Sequence, residues 1–160
     1  MQKTYIRKHA NHMTAKELSI VEIATRGLCR EMLEEVSLTD HAKQQTHRYS
    51  REITLQSIKN CLRNFNEVIE FSYNYNYNDR RVVIRDANGI CLVLSMRYKN
   101  VVTVWHNFAD DNHETLDESD YVADMNIMDF LHDGFSYNGL TTKNDVVADV
   151  VEYIFLGLQN

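Results

Sequence analysis

Val68-Ile-Glu-Phe-Ser-Tyr-Asn-Tyr-Asn-Tyr77, Arg81-Val-Val-Ile-Arg-Asp86, Ile90-Cys-Leu-Val-Leu-Ser-Met-Arg-Tyr98 and Val101-Val-Thr-Val-Trp105 are the four runs that decide the fold. Each is rich in β-branched and aromatic residues, the composition of half-buried strands. The connections are short: Asn88-Gly89 can take positive φ, and Lys99-Asn100 leaves little room for anything but a turn. Four such runs in succession predict an antiparallel β-meander over residues 68–107. Within it, Tyr73, Tyr75 and Tyr77 alternate with asparagines and are expected on one face, and Thr103 and Trp105 alternate with Val102 and Val104, so one of those pairs faces the core.

Outward from the meander the period becomes helical. Thr14-Ala-Lys-Glu17 is a capping box, in which the threonine and glutamate side chains satisfy free backbone N–H groups at a helix start. Leu18, Val21, Leu28, Met32 and Val36 then predict a helix over 15–35 that buries one stripe. Thr39 is the expected N-cap of a second helix, about 40–49, and a third, about 54–64, carries Ile58, Cys61 and Leu62. After the meander, a second capping box at Thr115-Leu-Asp-Glu118 opens a helix over 116–132, and Val146, Val147, Val150, Val151, Ile154, Phe155 and Leu158 form the best amphipathic stripe of the chain. That last stripe either covers the open face of the sheet or meets a partner. The expected class is therefore α+β: a four-stranded antiparallel meander packed with N-terminal helices and two C-terminal helices, in a single domain over 1–160. The stretch before the first helix, with His9, His12 and Met13, reads as a loosely ordered terminus.

The chain has no proline and five glycines, so nothing in it resembles a flexible linker or a repeat. Three widely spaced cysteines, Cys29, Cys61 and Cys91, suggest neither a disulfide framework nor a thiolate zinc site. No apolar stretch approaches the ~20 residues that span a bilayer, and the first residues carry no apolar signal region. A cytoplasmic protein is the expectation, with no membrane contact. The net charge of −6 is divided unequally: residues 1–107 hold 16 Lys and Arg against 11 Asp and Glu, whereas residues 108–160 hold 1 against 12. A basic face can still bind nucleic acid by cation–phosphate contact, and an acidic one can imitate the charge of a nucleic-acid backbone in the basic cleft of another protein.

The chain lacks a Gly-rich phosphate loop and the H-E-x-x-H, G-x-S-x-G and EF-hand patterns. What it offers is a looser group: His41, His47, Arg48 and Arg51 near the second helix, and Arg80, Arg81, Arg85, Arg97, Thr103 and His106 in the meander. These types suit cleavage of RNA without a metal. A base takes the 2′-hydroxyl proton, an acid protonates the leaving oxygen, and a fixed cation meets the extra charge of the transition state. Histidine and arginine supply all three near neutral pH. His41 and His106 are the candidate base and acid. His47, Arg48, Arg80, Arg81, Arg85 and Arg97 are candidate nucleic-acid contacts, and no cofactor or metal is implied. Plainer roles compete: His41 as an exposed first-turn residue, His47 and Arg48 as a solvated helical face, and the arginines of the meander as local partners of Asp79 and Asp86. The tyrosine row would serve either as an ordinary strand face or as a platform for stacked bases.

Leu38-Thr-Asp-His41-Ala42, Arg48 and Arg51 before Ile53-Thr54, and a meander ending in Val102-Thr-Val-Trp105 together resemble the His-Ala, Arg, Ile-Ser, Thr-Val-Tyr pattern of small bacterial and phage domains. Those domains belong to the barnase, EndoU, colicin and RelE-like ribonuclease group, and the resemblance covers residues 38–107. It implies a toxin-like or phage-encoded endoribonuclease with His41 as the catalytic histidine, Arg51 or Arg48 as the phosphate clamp and Thr103 as a polar group on the final strand. RNA is then the expected partner. The alternative expectation is a non-catalytic inhibitor that binds a protein through the acidic residues 108–160.

Overall fold

The computed structural model describes residues 5–47, 53–106 and 125–131. Its centre is an antiparallel sheet of five strands in simple chain order: β1 (Tyr5–His9), β2 (Glu67–Asn74), β3 (Asp79–Arg85), β4 (Ile90–Ser95) and β5 (Asn100–His106). The α+β class and the meander are as expected, but the strand count is five and not four. β1 comes from the stretch read as a loose terminus. It pairs with β2 from Tyr5 opposite Asn74 to His9 opposite Glu70, and a 3-10 turn at Ala10–His12 follows. The reason is tertiary. Arg7 bonds Glu70 at 2.7 Å and Lys8 bonds Glu17 at 2.9 Å, so two charged side chains of this segment tie it down.

Three helices precede β2: α1 (Ala15–Met32), α2 (Asp40–Thr46) and α3 (Leu55–Asn64). Thr14 and Glu17 close the expected capping box, and Thr39 and Thr54 cap α2 and α3 through their hydroxyls. α1 and α3 pack on each other and on one face of the sheet. There Ile20, Val21, Ala24, Leu28, Ile58 and Leu62 meet Val68, Phe71, Val82, Ile84, Leu92, Leu94 and Val104 in one cluster. Each fully buried aliphatic or aromatic side chain contributes about 1.5–3 kcal/mol, so among the described residues this face holds the larger apolar contribution to stability.

Directly paired residues of an antiparallel sheet share a face, so the register assigns every strand residue to one side. Val93 opposite Thr103 and Cys91 opposite Trp105 define the second face, whereas Ile90 opposite His106 and Leu92 opposite Val104 belong to the helix-packed face.

The free edge of β5 is closed by the segment before and within α2. Val101 accepts from the Thr39 N–H at 3.0 Å and donates to Ser37 at 2.9 Å, Thr39 Oγ1 donates to the Val102 carbonyl at 2.9 Å, and Gln45 Oε1 accepts from the Val104 N–H at 2.9 Å. An uncovered strand edge invites pairing with another chain, and these bonds remove that opportunity. The bridge between Leu38 and Val101 is parallel, so α2 advances along β5 in the same direction as the strand.

Of the two C-terminal helices expected, only residues 125–131 fall among the described ones, and they hold a short helix, α4 (Ile127–Leu131). The Met125 carbonyl accepts from Lys8 Nζ at 2.7 Å, and the Ile127 N–H donates to Glu17 Oε2 at 3.2 Å. One buried ion pair therefore joins β1, α1 and the α4 segment. The final amphipathic stripe and the acidic stretch before α4 lie outside the described residues. Among the described residues no helix is long and apolar enough to cross a membrane.

Candidate nucleic-acid interface

The expected catalytic residues His41, Thr103 and His106 sit at different places along and across β5. α2 begins beside Val101 and Val102, so His41, exposed in its first turn, sits toward the start of β5, while His106 ends that strand four residues later. At ~3.3 Å per residue, Val102 beside the start of α2 and His106 are roughly 13 Å apart along the strand. Thr103 is on the second face and His106 on the helix-packed face, so these two point apart as well. Both His106 ring nitrogens are screened from solvent. His47 caps the C-terminal end of α2 and is exposed. Arg48 and Arg51 lie outside the described residues.

The arginines of the meander divide by what they touch. Arg80, expected as a nucleic-acid contact, is 3% exposed and is used internally. Its Nε donates to the Phe130 carbonyl at 2.6 Å and its guanidinium lies 5.1 Å from the centre of the Tyr73 ring. The reason is the register: Arg80 opposes Tyr73 on the helix-packed face, under α4. Arg85 is bound to Glu67 at 2.7 Å. Arg81 is bound to Asp79 at 3.0 Å, and Arg97 is exposed.

Arg81 and Arg97 are brought together with the tyrosines by the paired hairpin turns at one end of the sheet. The β2–β3 turn forms because Asn74 Oδ1 accepts from the N–H groups of Asn76 and Tyr77, which ends β2 at Asn74 and throws Tyr75 and Tyr77 out of the strand. The expected single row of tyrosines is thus broken: Tyr73 stays on the helix-packed face, while Tyr75 and Tyr77 project from the turn. Asn78, at φ 48°, takes the left-handed conformation that asparagine tolerates better than most residues. The β4–β5 turn closes on Ser95, whose hydroxyl accepts from the Tyr98 N–H at 3.0 Å, with Lys99 at φ 53°.

The two turns are fixed to one another through Asp79. Its carboxylate is fully buried and accepts from Ser95 Oγ on both oxygens at 2.9 Å, from Arg81 Nε at 3.0 Å and from the Arg97 N–H at 3.2 Å. A buried carboxylate that shares the single Ser95 O–H between its two oxygens and takes two further N–H donors is a rigid anchor. Arg97 makes a second connection, since its guanidinium donates to the Tyr77 carbonyl and lies 5.3 Å from the Tyr98 ring centre. Arg81 lies 5.9 Å from the Tyr77 ring centre.

On this support stand three tyrosines, the exposed aromatic residues among the described ones. Tyr75 is 45% exposed, Tyr77 55% and Tyr98 52%. Tyr75 meets Tyr73 edge-on at 4.9 Å, and Tyr73 in turn meets Phe130 at 5.0 Å. Sequence reasoning named Arg81 and Arg97 but missed Tyr98 and Lys99. The signal that could have found Tyr98 was the Met96-Arg-Tyr98-Lys-Asn100 turn, where a bulky aromatic at a tight connection has no core to enter. Searches against protein-family models, curated proteins and solved structures found no match to this chain.

Proposed function

We propose that this chain is an RNA-binding domain whose contact surface is the pair of hairpin turns carrying Tyr75, Tyr77, Arg97 and Tyr98. One observation carries the reading: three tyrosines about half exposed at one end of the sheet, two of them backed by arginines, on turns tied to a buried carboxylate. Large exposed aromatic side chains beside cations are costly to leave in water and are suited to a ligand that offers flat rings and negative charge together. RNA is such a ligand, and it is also the one implied by the ribonuclease-like pattern of residues 38–107.

The reading is for capture and not for cleavage. Among the described residues Thr103 and His106 lie on opposite faces of β5 and His41 on the helix beside its start, an arrangement that favours capture over a shared proton-transfer site. A mobility-shift titration of the full chain with mixed RNA in EDTA tests this. The expected result is a salt-sensitive shift with the RNA recovered intact, weakened by Arg97→Glu. Cleavage that disappears in His41→Ala would replace capture with catalysis, and no shift at low salt would contradict the proposal.

A further inference from the structure

The hairpin end has a geometry that distinguishes between forms of RNA. Tyr77 and Tyr98 stand on neighbouring turns and each has a guanidinium on one side, Arg81 at 5.9 Å and Arg97 at 5.3 Å from the ring centre. An aromatic ring has two faces, and more than half of each residue is exposed, so ring surface beyond the guanidinium contact is accessible to a ligand. Arg97 spends one N–H on the Tyr77 carbonyl, and a guanidinium carries five. Arg97 is exposed and touches both the Tyr77 carbonyl and the Tyr98 ring, so its remaining donors are within the reach of a phosphate linking bases stacked on those two tyrosines.

We infer that this surface takes single-stranded RNA, stacking one unpaired base on Tyr77 and the next on Tyr98 while Arg97 holds the phosphate between them. The inference rests on the reading of the hairpin end as the RNA-contacting surface and adds the substrate class. In a duplex each base face is covered by its neighbours, and the A-form major groove is too narrow for a side chain to reach the bases. A ring presented on a turn therefore finds a partner only where bases are unpaired. Stacking is indifferent to base identity, so the surface discriminates by strandedness and only weakly by sequence. The rigidity contributed by Asp79 and Ser95 matters here, because rings held in place lose less freedom on binding than rings on mobile loops.

The test is fluorescence anisotropy with a labelled single-stranded RNA of about twelve nucleotides, a length that covers one single-strand site, and with the same strand annealed to its complement. Wild type, Tyr77→Leu, Tyr98→Leu, Tyr77→Phe and Tyr98→Phe are compared after their melting curves are shown to coincide. Single strands are expected to bind at least about tenfold more tightly than the duplex. Each leucine variant should lose about fivefold or more for the single strand, and each phenylalanine variant should stay within about twofold, since the ring is what stacks. Equal binding of duplex and single strand, or leucine variants that bind like wild type, would overturn base stacking while leaving RNA binding in place. No binding to either RNA would overturn the RNA reading itself and this inference with it.

Discussion

Both carboxylate oxygens of Asp79 lie 2.9 Å from the Ser95 hydroxyl, an interaction between β3 and β4 with no solvent access on either side. It carries the alignment of the two hairpin turns, because the same carboxylate takes the backbone N–H of Arg97. Ser95→Ala removes one hydrogen bond to a buried charge and is expected to cost about 1.5–3 kcal/mol in urea denaturation. Asp79→Ala orphans the Ser95 hydroxyl and the Arg97 N–H as well as releasing Arg81, and should cost about 3–5 kcal/mol.

The Lys8–Glu17 pair makes acid stability depend on one residue. Burial by itself raises the Glu17 pKa. The hydrogen bond from Lys8, the N–H groups of Thr14 and Ile127 and the charge of Lys8 together outweigh it, so the net shift is downward. A carboxylate held lower in the folded than in the unfolded chain contributes stability above its unfolded pKa and loses it as pH falls through the folded value. Urea melts of the wild type should therefore weaken from the ordinary glutamate range downward, and Glu17→Gln should flatten that limb while lowering stability at neutral pH.

Thiol chemistry gives an independent measure of the core. Burial raises Cys29 to about 12, and burial raises Cys61 further, with Asp86 adding to the effect. The thiolate is the reactive form, so at pH 8 the native protein should leave both unreacted toward a disulfide reagent over the time in which a denatured sample reacts fully. Rapid reaction of either one without denaturant would contradict the packing of α1 on α3.

Thr39 acts twice, capping α2 through the Ala42 N–H at 3.1 Å and donating to the Val102 carbonyl. Thr39→Ala is expected to cost about 1–2 kcal/mol in thermal or urea unfolding. Because the same segment covers the edge of β5, this variant and Gln45→Ala should also aggregate faster near the melting temperature, read by light scattering.

The parts of this molecule that were legible in the sequence are those with local causes. Thr14 and Glu17, Thr39, and the alternation through Val82, Ile84, Leu92 and Leu94 each announce their structure within a few residues. β1 was not legible, since its partners are Glu70 and Glu17, far away in the chain or on another element. Arg80 was misjudged for a related reason: an arginine looks exposed until a register places it beneath Phe130. The candidate site was half legible. Arg81 and Arg97 were named, but the role of Asp79 and the bond from Arg97 to the Tyr77 carbonyl arise only when two turns separated in sequence become neighbours.

The central claim is a location, and it is tested most directly by titrating the isotopically labelled protein with a short single-stranded RNA and following its assigned backbone amides by NMR. The account predicts that the first and largest shifts fall on Tyr75, Asn76 and Tyr77 and on Arg97, Tyr98 and Lys99, with α2 and the β3–β4 turn at Ala87–Asn88 little changed. Shifts that centre on His41 and His47 and spare the two tyrosine-bearing turns would contradict it.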